Sequence, residues 1–141
     1  MTRNNGSEKE RKILIVEDDE KVLNFLARLL STKGYSTVKA EHGRQAIQVA
    51  STTRPDIVIL DLSLPDCSGI EVLVQLKAMD EAIQVIILTG YGSQKAVRDA
   101  MELGAFDFLT KPFEVGELCD VIQRAILTEP PIIIRENHNA R

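Results

Sequence analysis

Three short runs of uninterrupted apolar residues constrain this chain more than any other feature. They occupy residues 13–16, 57–60 and 85–88, and each contains only Ile, Leu and Val. A run of this kind is typical of a strand that is buried on both faces, as in a parallel sheet covered by helices. The sequence therefore predicts a core built on at least three central, parallel strands.

Helical patterns alternate with these strands. After the first strand, apolar residues recur at helical spacing: Val22, Leu26, Leu29 and Leu30. Asp19 is placed to cap the start of this helix and Gly34 to end it, which predicts a helix over residues 19–33.

The rest of the chain continues the alternation. Residues 35–40 mix β-forming and polar residues, which indicates a strand at the edge of the sheet. Later patterns predict further elements: a helix from 43 that ends at Arg54-Pro55, helices over 69–79, 93–103 and 114–127, and a strand over 106–109. We expect a disordered leader over 1–11, one domain over 12–127, and a tail or the start of a linker over 128–141.

Alternating strands and helices favour a parallel sheet with right-handed crossovers. The wholly apolar runs should be central, whereas the mixed segments 35–40 and 106–109 should lie at the edges. This pattern predicts a doubly wound α/β sheet of five strands in the order 2-1-3-4-5.

Polar and charged residues follow the predicted strands where each one ends. Glu17 and Asp18 follow the first strand, Asp61 the third, Thr89 the fourth and Lys111 the fifth. In open parallel sheets the carboxyl ends of the strands share one edge, and ligands bind in the crevice beyond it. We expect these five residues to converge there.

Three carboxylates held close together would repel one another, so a cation is expected among them. Mg²⁺ prefers oxygen ligands and is often bound by one or two carboxylates together with phosphate. Asp18 and Asp61 would supply side-chain oxygens, Ser63 its backbone carbonyl, and Glu17 a contact through water. Lys111 and the hydroxyl of Thr89 would then face a phosphoryl group.

Composition excludes several other classes of protein. The net charge is −4 and the isoelectric point is near 5.2, which argues against direct binding of nucleic acid. The sequence shows no signal peptide and no apolar run long enough to span a membrane. Two cysteines, Cys67 and Cys119, fit reduced thiols better than a disulfide framework. A cytoplasmic location is therefore expected.

These motifs together resemble the receiver domain of bacterial two-component response regulators, of the CheY-like type. The resemblance is carried by residues 13–19, 61–69, 88–92 and 111–113, in that order, and it covers about residues 11–127. It implies a flavodoxin-like (βα)5 fold. It also implies that Asp61 is the phosphoacceptor.

The resemblance assigns roles to the other residues of the site as well. Glu17 and Asp18 would be the acidic metal pair, Thr89 the switch hydroxyl and Lys111 the amine that senses phosphate. Phe108 would be the switch aromatic, and the bond from Lys111 to Pro112 would be cis. Phe108 departs from the frequent tyrosine and has no hydroxyl to donate, and Glu17 stands where Asp is common.

The implied function is that of a signalling phosphoacceptor rather than an enzyme. A sensor histidine kinase would transfer a phosphoryl group to Asp61, and this transfer would switch the face formed by helix 4, strand 5 and helix 5. That face would control an output domain or a partner protein. The partner could also be a second copy of the chain, in a homodimer formed on phosphorylation.

Two alternatives use related chemistry. A magnesium-dependent phosphatase of the haloacid dehalogenase type also has a nucleophilic Asp after a strand, but it carries a second Asp two residues later, where this chain has Ser63. A flavodoxin-like nucleotide binder would need glycine-rich or hydroxyl-rich phosphate loops, whereas this chain offers carboxylates.

Overall fold

The computed structural model describes residues 10–90 and 94–128, and over these ranges five strands alternate with five helices. The strands are Lys12–Val16 (β1), Ser36–Ala40 (β2), Ile57–Asp61 (β3), Gln84–Thr89 (β4) and Asp107–Thr110 (β5). The helices are Glu20–Thr32 (α1), Gly43–Thr53 (α2), Gly69–Met79 (α3), Gln94–Glu102 (α4) and Val115–Leu127 (α5).

The strands form one parallel sheet in the order β2-β1-β3-β4-β5. This order confirms the predicted flavodoxin-like fold. It places the wholly apolar strands β1, β3 and β4 in the centre, and the mixed strands β2 and β5 at the edges. The carboxyl ends of β1 and β3 are therefore neighbours.

Successive side chains of the central strands point to opposite faces of the sheet, because a strand has a period of two residues. One face carries Leu14, Val16, Val58 and Leu60, which pack against α2, α3 and α4. The other carries Ile13, Ile15, Ile57 and Ile59, which pack against α1 and α5. Both faces are covered, as the unbroken apolar runs require.

The ends of α1 follow local rules that the sequence shows directly. The Asp19 carboxylate accepts hydrogen bonds from the amides of Lys21 and Val22 at 3.0 and 3.4 Å, so Asp19 caps the helix. Beyond the C-cap residue Lys33, Gly34 takes a left-handed φ of 98° that favours glycine. Both predicted helix signals are confirmed.

The prediction for β5 was one residue early. The strand was expected over 106–109, but it spans Asp107–Thr110. Its partner β4 extends to Thr89, which pairs with Thr110, and the Thr89 carbonyl accepts a hydrogen bond from the Lys111 amide at 2.7 Å. Backbone pairing with β4 therefore sets the end of β5, and the apolar pattern does not.

Other predictions fall partly outside the described residues. Residues 1–9 of the expected leader, Ser93 at the expected start of α4, and residues 129–141 of the expected tail lie there. Residues 91 and 92 of the 88–92 motif do so as well. Within the described ranges both cysteines are free, and no helix has the length and apolar character that crossing a membrane requires.

Candidate functional site

Three carboxylates meet at the carboxyl edge of the sheet. Glu17 and Asp18 directly follow β1, and Asp61 is the last residue of β3. Strands β1 and β3 are paired up to Val16 and Leu60, so the chain delivers all three acids to one place. One carboxylate oxygen from each lies within 4.8 Å of the others.

Lys111 joins this group from the far edge of the sheet. Its ammonium donates hydrogen bonds to Glu17 Oε1 at 2.8 Å and to Asp61 Oδ2 at 3.0 Å. These partners lie 94 and 50 residues earlier in the chain. Lys111 directly follows β5, and its peptide bond to Pro112 is cis.

The second oxygen of each buried carboxylate is also hydrogen-bonded. Glu17 Oε2 accepts from the amide of Asp19 at 3.1 Å, and Asp61 Oδ1 accepts from the amide of Ser63 at 2.9 Å. Glu17 is fully buried and Asp61 is 4% exposed, whereas Asp18 is exposed to solvent. Because every oxygen of these two carboxylates accepts a hydrogen bond, the cost of burying Glu17 and Asp61 is reduced.

The pKa values of Glu17 and Lys111 are both raised, but for different reasons. Burial raises the pKa of Glu17 above its ordinary value of 4.5, against the hydrogen bonds from Lys111 and the Asp19 amide. For Lys111, burial alone would lower the pKa, but hydrogen bonds to Glu17 and Asp61 raise it above 10.5. Lys111 is therefore a cation at neutral pH.

The donor set suits a hard divalent cation. All the converging atoms of Glu17, Asp18 and Asp61 are carboxylate oxygens, which Mg²⁺ prefers. With all three ionised, the single charge of Lys111 leaves a negative excess at this edge. The side chains present therefore fit a magnesium site.

Thr89 and Phe108 lie on β4 and β5, two of the strands that lead to this edge of the sheet. Thr89 ends β4, is 3% exposed, and its hydroxyl donates to the Gly90 carbonyl at 3.4 Å. Phe108 pairs with Ile87, two residues before Thr89, so both side chains point to the same face of the sheet. The Phe108 residue is 40% exposed.

Two further features near the site have no clear signal in the sequence. Asp66 lies in the loop after β3 and binds the start of α2. A groove of about 570 Å³ runs beside Lys111, and its lining includes Val22, Phe25 and Phe113. One indirect sign of the groove in the sequence is Phe25, an aromatic residue outside the apolar stripe predicted for α1. In the structure Phe25 is 53% exposed.

A comparison with known protein families agrees with this fold and this acidic edge. A family model described as the response regulator receiver domain matches residues 13–123. The chain belongs to the response regulator receiver domain family.

Its relatives differ greatly in length. Sporulation initiation phosphotransferase F of Bacillus subtilis (strain 168) is 39% identical over 113 residues, which cover 80% of this chain and 91% of that protein. Regulatory protein AtoC of Escherichia coli (strain K12) is 33% identical over 115 residues, which cover 82% of this chain but only 25% of AtoC. The chain thus spans most of one relative and a quarter of the other.

A solved structure agrees with both the fold and the family. The response regulator receiver domain protein from Clostridium thermocellum is similar with a TM-score of 0.79 and 31% identity, over 82% of this chain and 94% of that one. Together these matches support a phosphoacceptor receiver domain of a two-component system, and they give no support to the haloacid dehalogenase-type phosphatase.

Proposed function

We propose that Asp61 accepts a phosphoryl group from the phosphohistidine of a sensor histidine kinase. The observation that carries this proposal is the position of Asp61 at the end of β3, hydrogen-bonded to Lys111 at 3.0 Å and grouped with two other carboxylates. An Asp61 oxygen would attack phosphorus, the phosphorus–nitrogen bond would break, and its electron pair would remain on the departing imidazole.

Mg²⁺ would be held by the side chains of Asp18 and Asp61 and by the Ser63 carbonyl, with Glu17 contacting it through water. When bound, it would offset the negative charge of the phosphoryl oxygens. Lys111, already directed at Asp61, would supply a second positive charge to those oxygens. Both effects lower the repulsion that a carboxylate nucleophile meets at a phosphate.

Thr89 and Phe108 would carry the signal away from Asp61. The Thr89 hydroxyl would donate to a phosphoryl oxygen, and the Phe108 ring would turn into the vacated space. A charge-assisted hydrogen bond of about 1.5–3 kcal/mol shifts a two-state population about ten- to a hundredfold. The face formed by α4, β5 and α5 would then change its shape.

The partners would be a sensor histidine kinase and, on the α4–β5–α5 face, an output domain, a partner protein or a second copy of the chain. The groove beside Lys111 would offer the kinase an apolar surface, and Lys111 itself contacts Asp61. In one branch of the family an Arg follows the Glu of the last helix by four residues and supports a fixed dimer. Here that position is Val121, which is 4% exposed, so we expect a different dimer or a different partner.

The domain would catalyse only its own phosphorylation and dephosphorylation, and would act in the cytoplasm. It would not bind nucleic acid or a membrane directly, which fits its net charge of −4. Because Ser63 stands where the related phosphatases have a catalytic Asp, the phosphoryl group on Asp61 should persist rather than turn over.

The test is incubation with a small phosphodonor and Mg²⁺, followed by intact-mass measurement. We expect one added phosphoryl group in the wild type and none in Asp61→Asn. Asp80→Asn, altered in the loop between α3 and β4, is the control and should be phosphorylated normally. Undiminished phosphorylation of Asp61→Asn would contradict the assignment, and rapid release of free phosphate would favour the phosphatase.

A further inference from the structure

The loop that joins β3 to α3 is closed at its base, next to the proposed phosphoacceptor. Ser63 and Ser68 form an isolated antiparallel bridge, and the Gly69 amide donates to the Leu62 carbonyl at 3.1 Å. The Ser63 amide donates to Asp61 Oδ1 at 2.9 Å. The orientation of the Asp61 carboxylate therefore depends on where this loop lies.

The tip of the same loop is attached to another element. Asp66 Oδ1 accepts from the amide of Gly43 at 2.7 Å, and Asp66 Oδ2 accepts from the amide of Arg44 at 3.0 Å. The next amide of α2, that of Gln45, donates to His42 Nδ1 at 3.4 Å. Asp66 thus satisfies the first two unpaired amides of α2 from more than twenty residues away in the chain.

The charge of Asp66 suits this contact. The amides of Arg44 and Gly43 lower the pKa of the Asp66 carboxyl below its ordinary value of 3.8. Asp66 is therefore a carboxylate at neutral pH, and the start of a helix favours a negative charge. His42 Nδ1 also lies 3.5 Å from Asp66 Oδ2.

Close packing holds the loop tip against α2 independently of this hydrogen bonding. A Cβ atom added to Gly43 would overlap the Sγ of Cys67 and would lie 3.0 Å from Val72 Cγ2 and 3.3 Å from Asp66 Oδ1. Only glycine lets the loop approach this closely. The contact therefore depends on Asp66 in the loop and on Gly43 in α2.

We propose that Asp66 is a positioning residue for the phosphoryl site: by binding the first amides of α2, it fixes the loop that places Ser63 against Asp61. This role rests on the proposed function, since it concerns the Ser63 carbonyl as a metal ligand and the Ser63 amide as the partner of Asp61. With the tip released, the base of the loop keeps its own hydrogen bonds but loses its fixed position. Magnesium affinity and the rate of phosphorylation should then fall.

Three variants release the tip in different ways. Asp66→Ala removes both acceptors, and we expect about tenfold weaker Mg²⁺ binding, as is common when groups behind metal ligands are removed. Asp66→Asn also loses the charge but keeps one acceptor oxygen, so its affinity should be intermediate. Gly43→Ala changes no charge, yet it pushes the loop away from α2 and should weaken binding as Asp66→Ala does.

Two controls match these changes in chemistry. Asp80→Ala also removes a carboxylate that accepts from a backbone amide, that of Ala82 at 3.0 Å, in a loop at the other end of the sheet. Gly116→Ala adds a Cβ to the first turn of α5, where no described atom outside the adjacent helix backbone lies within 4 Å of it. Both controls should bind Mg²⁺ as the wild type does.

Mg²⁺ affinity is measured by titration of backbone amide NMR signals, with urea unfolding to verify that each variant is folded, and phosphorylation is followed by mass. Wild-type affinity in folded Asp66→Ala and Gly43→Ala would overturn the positioning role, and so would equal losses in Asp66→Ala and Asp80→Ala. If Asp66→Ala does not fold, Asp66→Asn and Gly43→Ala decide between the same outcomes. A wild type that neither binds Mg²⁺ nor is phosphorylated on Asp61 would overturn the proposed function, and this role with it.

Discussion

Two basic side chains of this domain, Lys111 and Arg124, each contact two carboxylates, and the two groups differ in burial. At the carboxyl edge of the sheet, Lys111 contacts Glu17 at 2.8 Å and Asp61 at 3.0 Å. The side chains of these two acids are only 1% and 6% exposed. Bulk water therefore hydrates these two carboxylates far less than it hydrates a surface pair.

On the outer side of β5 and α5, Arg124 contacts Asp107 at 3.0 Å and Asp120 at 3.4 Å. Here the acid side chains are 27% and 73% exposed, and Arg124 is 50% exposed. The guanidinium also lies 5.9 Å from the centre of the Phe106 ring. This group remains hydrated and is screened by salt.

Ion-pair geometry alone does not set how much a charge contributes to stability. The distances in the two groups are similar, yet only in the buried group does removal of the cation leave carboxylate oxygens with neither a cation nor bulk water beside them. The buried group, together with Asp18, also carries the excess of carboxylates over cations that suits Mg²⁺. Mutations of the buried group should therefore affect both the stability of the domain and its binding of Mg²⁺.

The largest effect on stability is expected from Lys111→Met. The variant keeps an apolar stem of similar length but removes two charge-assisted hydrogen bonds to buried carboxylates, so the free energy of unfolding should fall by about 3–5 kcal/mol. Urea unfolding without divalent cations measures this change. Lys95→Met, which breaks an exposed pair with Asp99, is the control and should cost about 0.3–0.5 kcal/mol.

Adding Mg²⁺ should recover part of the loss in Lys111→Met, because a cation among the same carboxylates replaces the missing positive charge. Equal unfolding free energies for Lys111→Met and Lys95→Met would show that the buried group is no more important than an exposed pair.

The next effect concerns the metal. Asp18→Ala should weaken Mg²⁺ binding at least about tenfold, or about 1.4 kcal/mol, since Asp18 is the exposed carboxylate of the site. The fold should be intact or slightly stabilised, because repulsion among the acids is relieved. Asp19→Asn removes the same charge one residue away but keeps the helix cap, and it should bind as the wild type does. Unchanged affinity in Asp18→Ala would exclude Asp18 as a ligand.

A smaller effect should appear in the pH dependence of stability. Because burial raises the pKa of Glu17 above 4.5, the folded protein holds the proton of Glu17 more tightly than the unfolded chain does. The stability that Glu17 contributes is therefore present below pH 4.5 and is lost as the pH rises through the higher folded pKa.

Glu17→Gln removes this titration, so the unfolding free energy of the wild type minus that of the variant should decrease as the pH rises above 4.5. Urea unfolding at a series of pH values without divalent cations provides the measurement. A difference that increases with pH would mean that Lys111 outweighs burial at Glu17.

The smallest effect is expected at the exposed group. Arg124→Ala should shift the urea midpoint several-fold less than Lys111→Met, because water can hydrate Asp107 and Asp120 in its place. The residual shift should shrink further in high salt, whereas that of Lys111→Met should not. A shift as large as that of Lys111→Met would end the distinction between the two groups.

The sequence by itself determined the sheet and the edge at which the acids meet. The apolar runs predicted β1, β3 and β4, and the mixed segments predicted the edge strands. Local rules at Asp19 and Gly34 predicted the ends of α1. These features are accessible because they depend on residues a few positions apart.

Only the tertiary structure decided which of the converging groups contact one another. Lys111 meets Glu17 across 94 residues, and Asp66 meets the amides of α2 through a loop whose sequence predicts no more than a turn. The end of β5 at Thr110 was set by pairing with Thr89 rather than by its own pattern. Contacts of this kind depend on the relative positions of several packed elements. They leave no local signal in the sequence, because each of these residues would fit a turn or a surface equally well on its own.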